Sequence, residues 1–363
     1  MNTIDMKNLG LTEAMLQEAK QYKHLYIGRI SSQSKNLYKV ITENGELIAE
    51  ISGKFHHSVN DITDYPSVGD FVMIDRIDHT DGNGIIHHVL TRKSVFGRKV
   101  AGSTTNKQIV ATNIDIVFIC MSLNNDFNLR RLERYLSIAW DSGATPVIVL
   151  TKADLCQEIE QKLSEIYAIA IGVDVLVTTS ISDTGHHPIT NYLSPGRTVA
   201  FIGSSGVGKS TLINRLLGQH VLVTNEIRND DKGRHTTTRR ELLLLPNLGV
   251  VIDTPGMREL GIISADLAKS FADIDELASQ CRFSDCMHQT EPSCAVQKAI
   301  QDGILSIERL ESYRKLQKET KYDGLNAKMI EKEKLNNMFS TMGGMKNARK
   351  FLKEQHNKKG RNK

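Results

Sequence analysis

The run GSSGVGKST, residues 203–211, follows the apolar stretch TVAFI directly and opens the helix-like KSTLINRLLG. A buried strand that turns through three glycines into a helix leaves a chain few alternatives. It predicts an α/β domain with a mainly parallel, doubly wound sheet. Gly203, Gly206 and Gly208 let the backbone curl so that successive N–H groups face inward. The following helix adds the positive end of its dipole. The pattern G-x-x-x-x-G-K-[ST] then makes Gly203, Ser204, Ser205, Gly206, Val207 and Gly208 a phosphate cradle. Lys209 would reach the β and γ phosphates, and the Ser210 hydroxyl would ligate Mg2+, with Thr211 beside it.

The surrounding texture agrees. From about residue 110, apolar runs (IDIVFIC, TPVIVL, DVLVTT, TVAFIG, GVVIDT) alternate with helical stretches such as LRRLERYLSIAWDSG and residues 155–171. After TPVIVL comes TKAD, residues 151–154, a variant of the base-reading N-K-x-D. An Asp154 carboxylate would accept hydrogen bonds from the N1–H and N2–H₂ edge of guanine, a donor pair that adenine lacks. The Lys152 stem would lie over the base. Thr151 replaces the usual Asn, so some tying of this loop to the phosphate loop is expected to be lost. VTTS at 177–180 ends a further strand, where Thr179 and Ser180 would offer backbone contacts to the guanine O6.

DTPG at 253–256 follows GVVI. Asp253 would be a second Mg2+ partner through water, and Gly256 would bring its N–H to the γ-phosphate. GRHTTTRR, residues 233–240, lies between the two phosphate motifs, where a switch loop needs a Thr that binds Mg2+ and senses the γ-phosphate. Thr237 is assigned that role among three consecutive threonines. Met257 stands where some GTPases carry a water-orienting Gln, so slow intrinsic hydrolysis is expected, with His235 the candidate hydrolytic residue. The parts therefore occur in the order base loop, phosphate loop, switch, DTPG. In an ordinary GTPase the base loop comes last. Joining the old ends of such a domain and cutting new ones preserves its sheet, because each loop sits at a strand end.

Upstream, five short β-branched runs lie between about 22 and 100: LYIGRI, LYKVI, ELIAEISGKF, DFVMIDRI and GIIHHVL. Turn signals separate them, and the spacing predicts a small barrel of the OB or SH3-like kind. Before them, LTEAMLQEAK reads as a loosely attached helix. The first residues carry early acids and no apolar core, so they do not read as a signal peptide. No apolar run is long enough to cross a bilayer.

The chain of 363 residues has a net charge of +4, unevenly spread. From Arg309 to Lys363 there are 16 Lys+Arg against 6 Asp+Glu, which leaves the rest of the chain at −6. A basic, helical tail on an acidic body points to a polyanionic partner, nucleic acid first. Of five cysteines, Cys120 and Cys156 lie in or beside apolar segments and read as packed thiols. Cys281, Cys286, His288 and Cys294 form C-x4-C-x-H-x5-C, a complete tetrahedral set for structural Zn2+ with no open position for catalysis. Such a metal would staple a small helical module.

A small barrel, TKAD ahead of GSSGVGKST, HTTT and DTPG, and then this cysteine pattern resemble the ribosome small-subunit-dependent GTPase A family (RsgA, also called YjeQ), over about residues 22–320. The resemblance implies an OB-fold at 22–105 after an N-terminal extension, 1–21. It implies a circularly permuted GTPase domain at 106–263 and a helical zinc-binding domain with a basic tail at 264–363. It also implies a cytoplasmic GTP phosphohydrolase that binds the small ribosomal subunit and its rRNA late in maturation, with subunit-stimulated turnover to GDP. His235 resembles a family histidine associated with hydrolysis. No heptad run or apolar stripe declares an oligomer, so a monomer is expected. The competing readings are a P-loop ATPase or kinase with an RNA-binding barrel, against which Asp154 speaks, and a binding module with a purely structural nucleotide, against which the Thr-rich loop and DTPG speak.

Overall fold

The computed structural model describes residues 3–59, 61–78, 82–99, 107–182, 185–219, 222, 240–253 and 267–321. After a 3-10 turn at Met6–Leu9, α1 (Glu13–Ala19) starts at Thr12, whose hydroxyl accepts the Met15 N–H at 3.3 Å. The expectation of a loosely attached helix is corrected here. Leu11, Met15 and Ala19 are buried against Phe71, Met73 and Leu90 of the following domain.

That domain is the expected barrel: β1 (Tyr26–Ser34), β2 (Leu37–Thr42), β3 (Gly45–Ile51), α2 (Gly53–Ser58), β4 (Phe71–Ile74) and β5 (Gly84–Val89). The strands neighbour one another in the order β1-β2-β3-β5-β4, and β4 pairs back onto β1, so the sheet closes. Closure removes the unpaired edges that an open sheet would expose. Alternate residues Tyr38, Val40, Leu47, Ala49, Val72 and Ile74 point inward and fill the barrel with Ile30 and Ile86. The run ELIAEISGKF is not strand throughout. Ser52 accepts the Phe55 N–H at 3.0 Å and caps α2, so the strand stops at Ile51.

A hairpin of β6 (Val95–Lys99) and β7 (Lys107–Thr112) follows. Its strands lie on either side of the boundary expected at 105/106. Next come β8 (Ile116–Ser122), α3 (Leu129–Ser142), β9 (Thr145–Thr151), α4 (Ile159–Tyr167), β10 (Asp174–Val177), α5 (His187–Thr190), β11 (Thr198–Ile202), α6 (Lys209–Leu217), β12 (Glu241–Leu245) and β13 (Gly249–Asp253). Their order in the sheet is β10-β9-β8-β11-β13-β12. All neighbours in it are parallel except β12, which runs antiparallel to β13. Every residue of β8 and β11 is buried, as strands covered on both faces must be. Val117 and Ile119 face Leu132, Leu136 and Ala139 of α3. Phe118 and Phe201 face Leu212, Ile213 and Leu216 of α6.

The helices α7 (Leu267–Ser270), α8 (Ala272–Ser279), α9 (Ala295–Gln301) and α10 (Ile307–Lys321) complete the described chain. Arg309 of α10 joins them to α3 through Glu133, at 2.8 Å. The fully buried Arg29 of β1 ties three segments together. It donates to the carbonyls of Leu9 and Gly69 and to the Thr198 hydroxyl of β11. Burial lowers its pKa to about 10, against the raising influence of Asp115 and Asp70. No helix among the described residues is long and apolar enough to cross a membrane.

Candidate functional site

Parallel strands end on one edge of a sheet, so loops far apart in sequence meet there. At this edge β11 delivers residues 203–208, β9 delivers Thr151 to Asp154, β10 delivers the 178–182 turn and β13 delivers Asp253. β11 lies between β8 and β13. The chain has already built β8, β9 and β10 outward on one side before it returns to the middle. Such a reversal of winding opens a crevice at the carboxyl ends, where open α/β sheets take their ligands.

Gly203 takes φ 141°, and a Cβ there would lie 2.2 Å from the Cys120 carbonyl oxygen, so only glycine fits. Gly208, at φ 98°, turns the chain into α6. Lys209 folds back over the loop and donates to the carbonyls of Gly203 at 2.9 Å and Ser204 at 2.6 Å, which brings a cation into the curl. Ser210 and Thr211 occupy the first turn of α6. Asp253 ends β13. Burial raises its carboxyl above the ordinary value, Lys209 pulls it down and Glu241 adds to the rise. A hydroxyl and a carboxylate beside this curl are hard oxygen donors of the type Mg2+ takes. Cys120, beneath the loop, is buried, and burial pushes its thiol up to about 12, as a packed thiol requires.

The base loop is tied more firmly than its sequence implies. Thr151, which was expected to lose some of the Asn tie, donates its hydroxyl to the Val207 carbonyl at 2.6 Å. The hydroxyl therefore makes the link between base loop and phosphate loop itself. Lys152 adopts a left-handed conformation, φ 56°, which is uncommon for a residue with a side chain and typical of functional turns. Asp154 accepts a hydrogen bond from the Thr179 hydroxyl at 2.5 Å, so the two base-side loops meet through their side chains.

Some contributors were not legible in the sequence. Arg131 of α3 donates to the Ser204 hydroxyl at 2.5 Å and to Asp126 at 2.8 Å, bracing the back of the phosphate loop. Arg215 of α6 grips the 180–182 turn. Neither arginine lies in a motif, and only the fold brings them to these loops. His235, Thr237, Gly256 and Met257 lie outside the described residues.

The cysteine cluster assembles as its spacing predicts. The ligand atoms of Cys281, Cys286, His288 and Cys294 all lie within 4.8 Å of one another. Cys281 Sγ is 3.9 Å from Cys294 Sγ and 3.6 Å from His288 Nδ1, and Cys294 Sγ is 3.5 Å from that nitrogen. A tetrahedron with Zn–S of about 2.3 Å has edges of about 3.8 Å, so three thiols and an imidazole here fit zinc. Burial and the nearby Arg314 charge lower the His288 pKa, which favours the neutral, ligating imidazole. Burial raises the Cys281 thiol, but the N–H groups of Val296 and Ala295 at the start of α9 outweigh it and hold it below its ordinary value. Glu291 folds the loop by accepting the N–H groups of Met287, Gln289 and Thr290 at 3.0, 2.7 and 3.0 Å.

A mainly parallel sheet ending on a phosphate loop, with the TKAD loop on a neighbouring strand end, defines a P-loop nucleotide-binding domain in which TKAD precedes the phosphate loop in sequence. The chain belongs to the RsgA GTPase family. The RsgA GTPase family model matches residues 89–263. The chain is 48% identical, over 98% of its length and 99% of the relative's, to "Small ribosomal subunit biogenesis GTPase RsgA 2" of Lactiplantibacillus plantarum. It is 43% identical to "Small ribosomal subunit biogenesis GTPase RsgA" of Methanosarcina acetivorans, over 91% of this chain and 90% of that one. Among solved structures, YjeQ from Thermotoga maritima aligns with a TM-score of 0.58 at 27% identity, covering 82% of this chain and 98% of that one. YloQ, described as a circularly permuted GTPase, aligns with a TM-score of 0.57 at 25% identity, covering 83% and 96%. An ABC transporter family model also matches residues 186–349. That span holds the phosphate loop but leaves TKAD outside, whereas the RsgA relatives account for both.

Proposed function

We propose that this chain is a GTP phosphohydrolase that binds the small ribosomal subunit and acts late in its maturation, with the subunit stimulating hydrolysis. The observation that carries the reading is the convergence, on one sheet edge, of the Lys209 loop, Asp253 and the Thr151–Asp154 loop. The near full-length relatives named for small-subunit biogenesis supply the partner.

Residues Gly203, Ser204, Ser205, Gly206, Val207, Gly208, Lys209, Ser210 and Thr211 hold the phosphates. Ser210 and Thr237 would ligate Mg2+, with Asp253 a further oxygen partner, and Gly256 would meet the γ-phosphate. An ion held there would supply charge neutralisation for the phosphates. Thr151, Lys152, Asp154, Thr179 and Ser180 read guanine. Preorganised N–H groups and Lys209 stabilise the charge that develops on the leaving diphosphate. His235 is the assigned hydrolytic residue. Cys281, Cys286, His288 and Cys294 hold structural Zn2+. The OB-type barrel, 22–105, and the basic residues beyond about 320 face rRNA, where cationic side chains displace counterions from phosphates. The GTPase domain spans 106–263, and the zinc-bearing domain 264–363. The protein works as a cytoplasmic monomer.

The test is co-sedimentation with purified small and large subunits, in the presence of a non-hydrolysable GTP analogue or GDP. The analogue-loaded protein is expected to pellet with small subunits only and to be released by GDP. Equal pelleting in both nucleotide states, or with large subunits, contradicts the reading.

A further inference from the structure

Arg215 lies at the last turn of α6, the helix whose first turn carries Lys209, Ser210 and Thr211. Its guanidinium is spent on backbone oxygens of the base-side turn: Nη2 donates to Ser180 O at 2.5 Å and Nη1 to Ser182 O at 2.7 Å. The arginine fork is planar and rigid, so two carbonyls two residues apart fix the turn in position and in orientation.

The Ser180 carbonyl belongs to the same peptide plane as the Ile181 N–H. That N–H donates to the Thr179 hydroxyl oxygen at 3.2 Å, and the Thr179 hydroxyl donates to Asp154 Oδ1 at 2.5 Å. The donors all run one way, from Arg215 through the peptide and Thr179 to the carboxylate. Hydrogen bonds in such a chain polarise one another, and the chain starts on a fixed cation. The turn is closed from its other side too. Thr179 N–H donates to Gly185 O at 3.4 Å, and a Cβ on Gly185 would lie 2.3 Å from Thr179 O.

We propose that Arg215 is a specificity-positioning residue: from the phosphate-binding helix it holds the 179–182 turn so that Thr179 orients the Asp154 carboxylate toward the two-donor edge of guanine. The inference rests on the reading of Asp154 as the guanine partner. Arg215 acts through the carbonyls of the turn, so its loss bears on how well the site reads two donors rather than on phosphate binding.

The test is equilibrium titration of the full chain with GDP, IDP and ADP. Hypoxanthine keeps the N1–H and lacks the 2-amino group, so the GDP/IDP ratio isolates the second donor. Wild-type protein is expected to prefer GDP to both. In Arg215→Gln and Arg215→Lys, GDP affinity is expected to fall about tenfold, as for a hydrogen bond to a charged group, with IDP affinity falling less than about threefold. An unchanged GDP/IDP ratio, or an equal loss for both ligands, overturns the proposal, because a merely structural role weakens both alike. Thr179→Val cuts the same relay next to Asp154 and leaves the Arg215 grip intact. It must narrow the ratio as well, which decides the matter if the arginine variants fail to fold. Wild-type protein that binds GDP and ADP equally would remove the Asp154 reading itself. A guanine-selective wild type with unaffected variants would remove only the role of Arg215.

Discussion

Arg309 offers the sharpest perturbation of the link between the GTPase sheet and the zinc-bearing helices. Its side chain is 5% exposed and donates to Asp273 at 2.6 and 2.7 Å, to Glu133 at 2.8 Å and to the Ser270 carbonyl at 3.1 Å. It also lies 4.8 Å from the centre of the Phe271 ring. Burial disfavours its charge, but Asp273 and Glu133 outweigh that and hold the guanidinium above its ordinary pKa. Removing one partner of a buried ion pair costs about 3–5 kcal/mol, because the other charge stays behind. Here Glu133, 1% exposed, keeps Arg130 at 2.5 Å, which places Arg309→Met near the lower end, about 3 kcal/mol. Trp140, the single tryptophan, sits on α3 with the Lys269 ammonium of α7 5.5 Å from its ring, so it reports on this contact. With a urea dependence of about 3 kcal/mol per M, the Trp140 fluorescence midpoint should fall by about 1 M. Neutralising the buried carboxylate as well, in Glu133→Gln/Arg309→Met, should leave the protein no less stable than Arg309→Met alone, with Asp273 still charged in both. A midpoint within about 0.2 M of wild type, or a double variant less stable than Arg309→Met, refutes the reasoning.

Three further outcomes follow from single contacts. Thr151→Val removes the donor to Val207 O and should weaken GDP binding about fivefold by calorimetry, the worth of one hydrogen bond. Cys286→Ser should lower the zinc content measured by elemental analysis and expose residues 281–294 to protease, while metal-free wild type behaves alike. Asp75 is raised by burial but lowered more by Arg76 and the Ile85 N–H, so its carboxyl lies below the ordinary value of 3.8. Its stabilising contribution is therefore full above that value and lost as pH falls through the folded-state pKa. Asp75→Asn should flatten that part of the acid limb in a pH series of urea midpoints.

The elements that position the nucleotide were legible because each combines an apolar run with a punctuating motif. TVAFI before GSSGVGKST and TPVIVL before TKAD identify strand, loop and their shared edge from local pattern alone. The rotated order was legible for the same reason, and the sheet accommodates it by inserting β11 between β8 and β13. Contacts across long sequence separations were not. Arg29 reaches Thr198, Glu133 reaches Arg309 and Arg131 reaches Ser204, and in sequence each is one charged residue among many. In sequence Thr151 resembles a weakened Asn because motif comparison ranks residue types, whereas the hydroxyl lies where the Val207 carbonyl can use it. The N-terminal helix looked detachable because its short apolar stripe has no visible partner until β4 is folded against it.

The proposed activity is selective hydrolysis of GTP that the small subunit switches on. The direct measurement is phosphate release from GTP and from ATP, for the protein alone, with purified small subunits and with large subunits. Slow turnover of GTP alone, strong stimulation by small subunits only, and no comparable turnover of ATP are expected. GTP turnover indifferent to small subunits, or ATP turned over as fast as GTP, would contradict it.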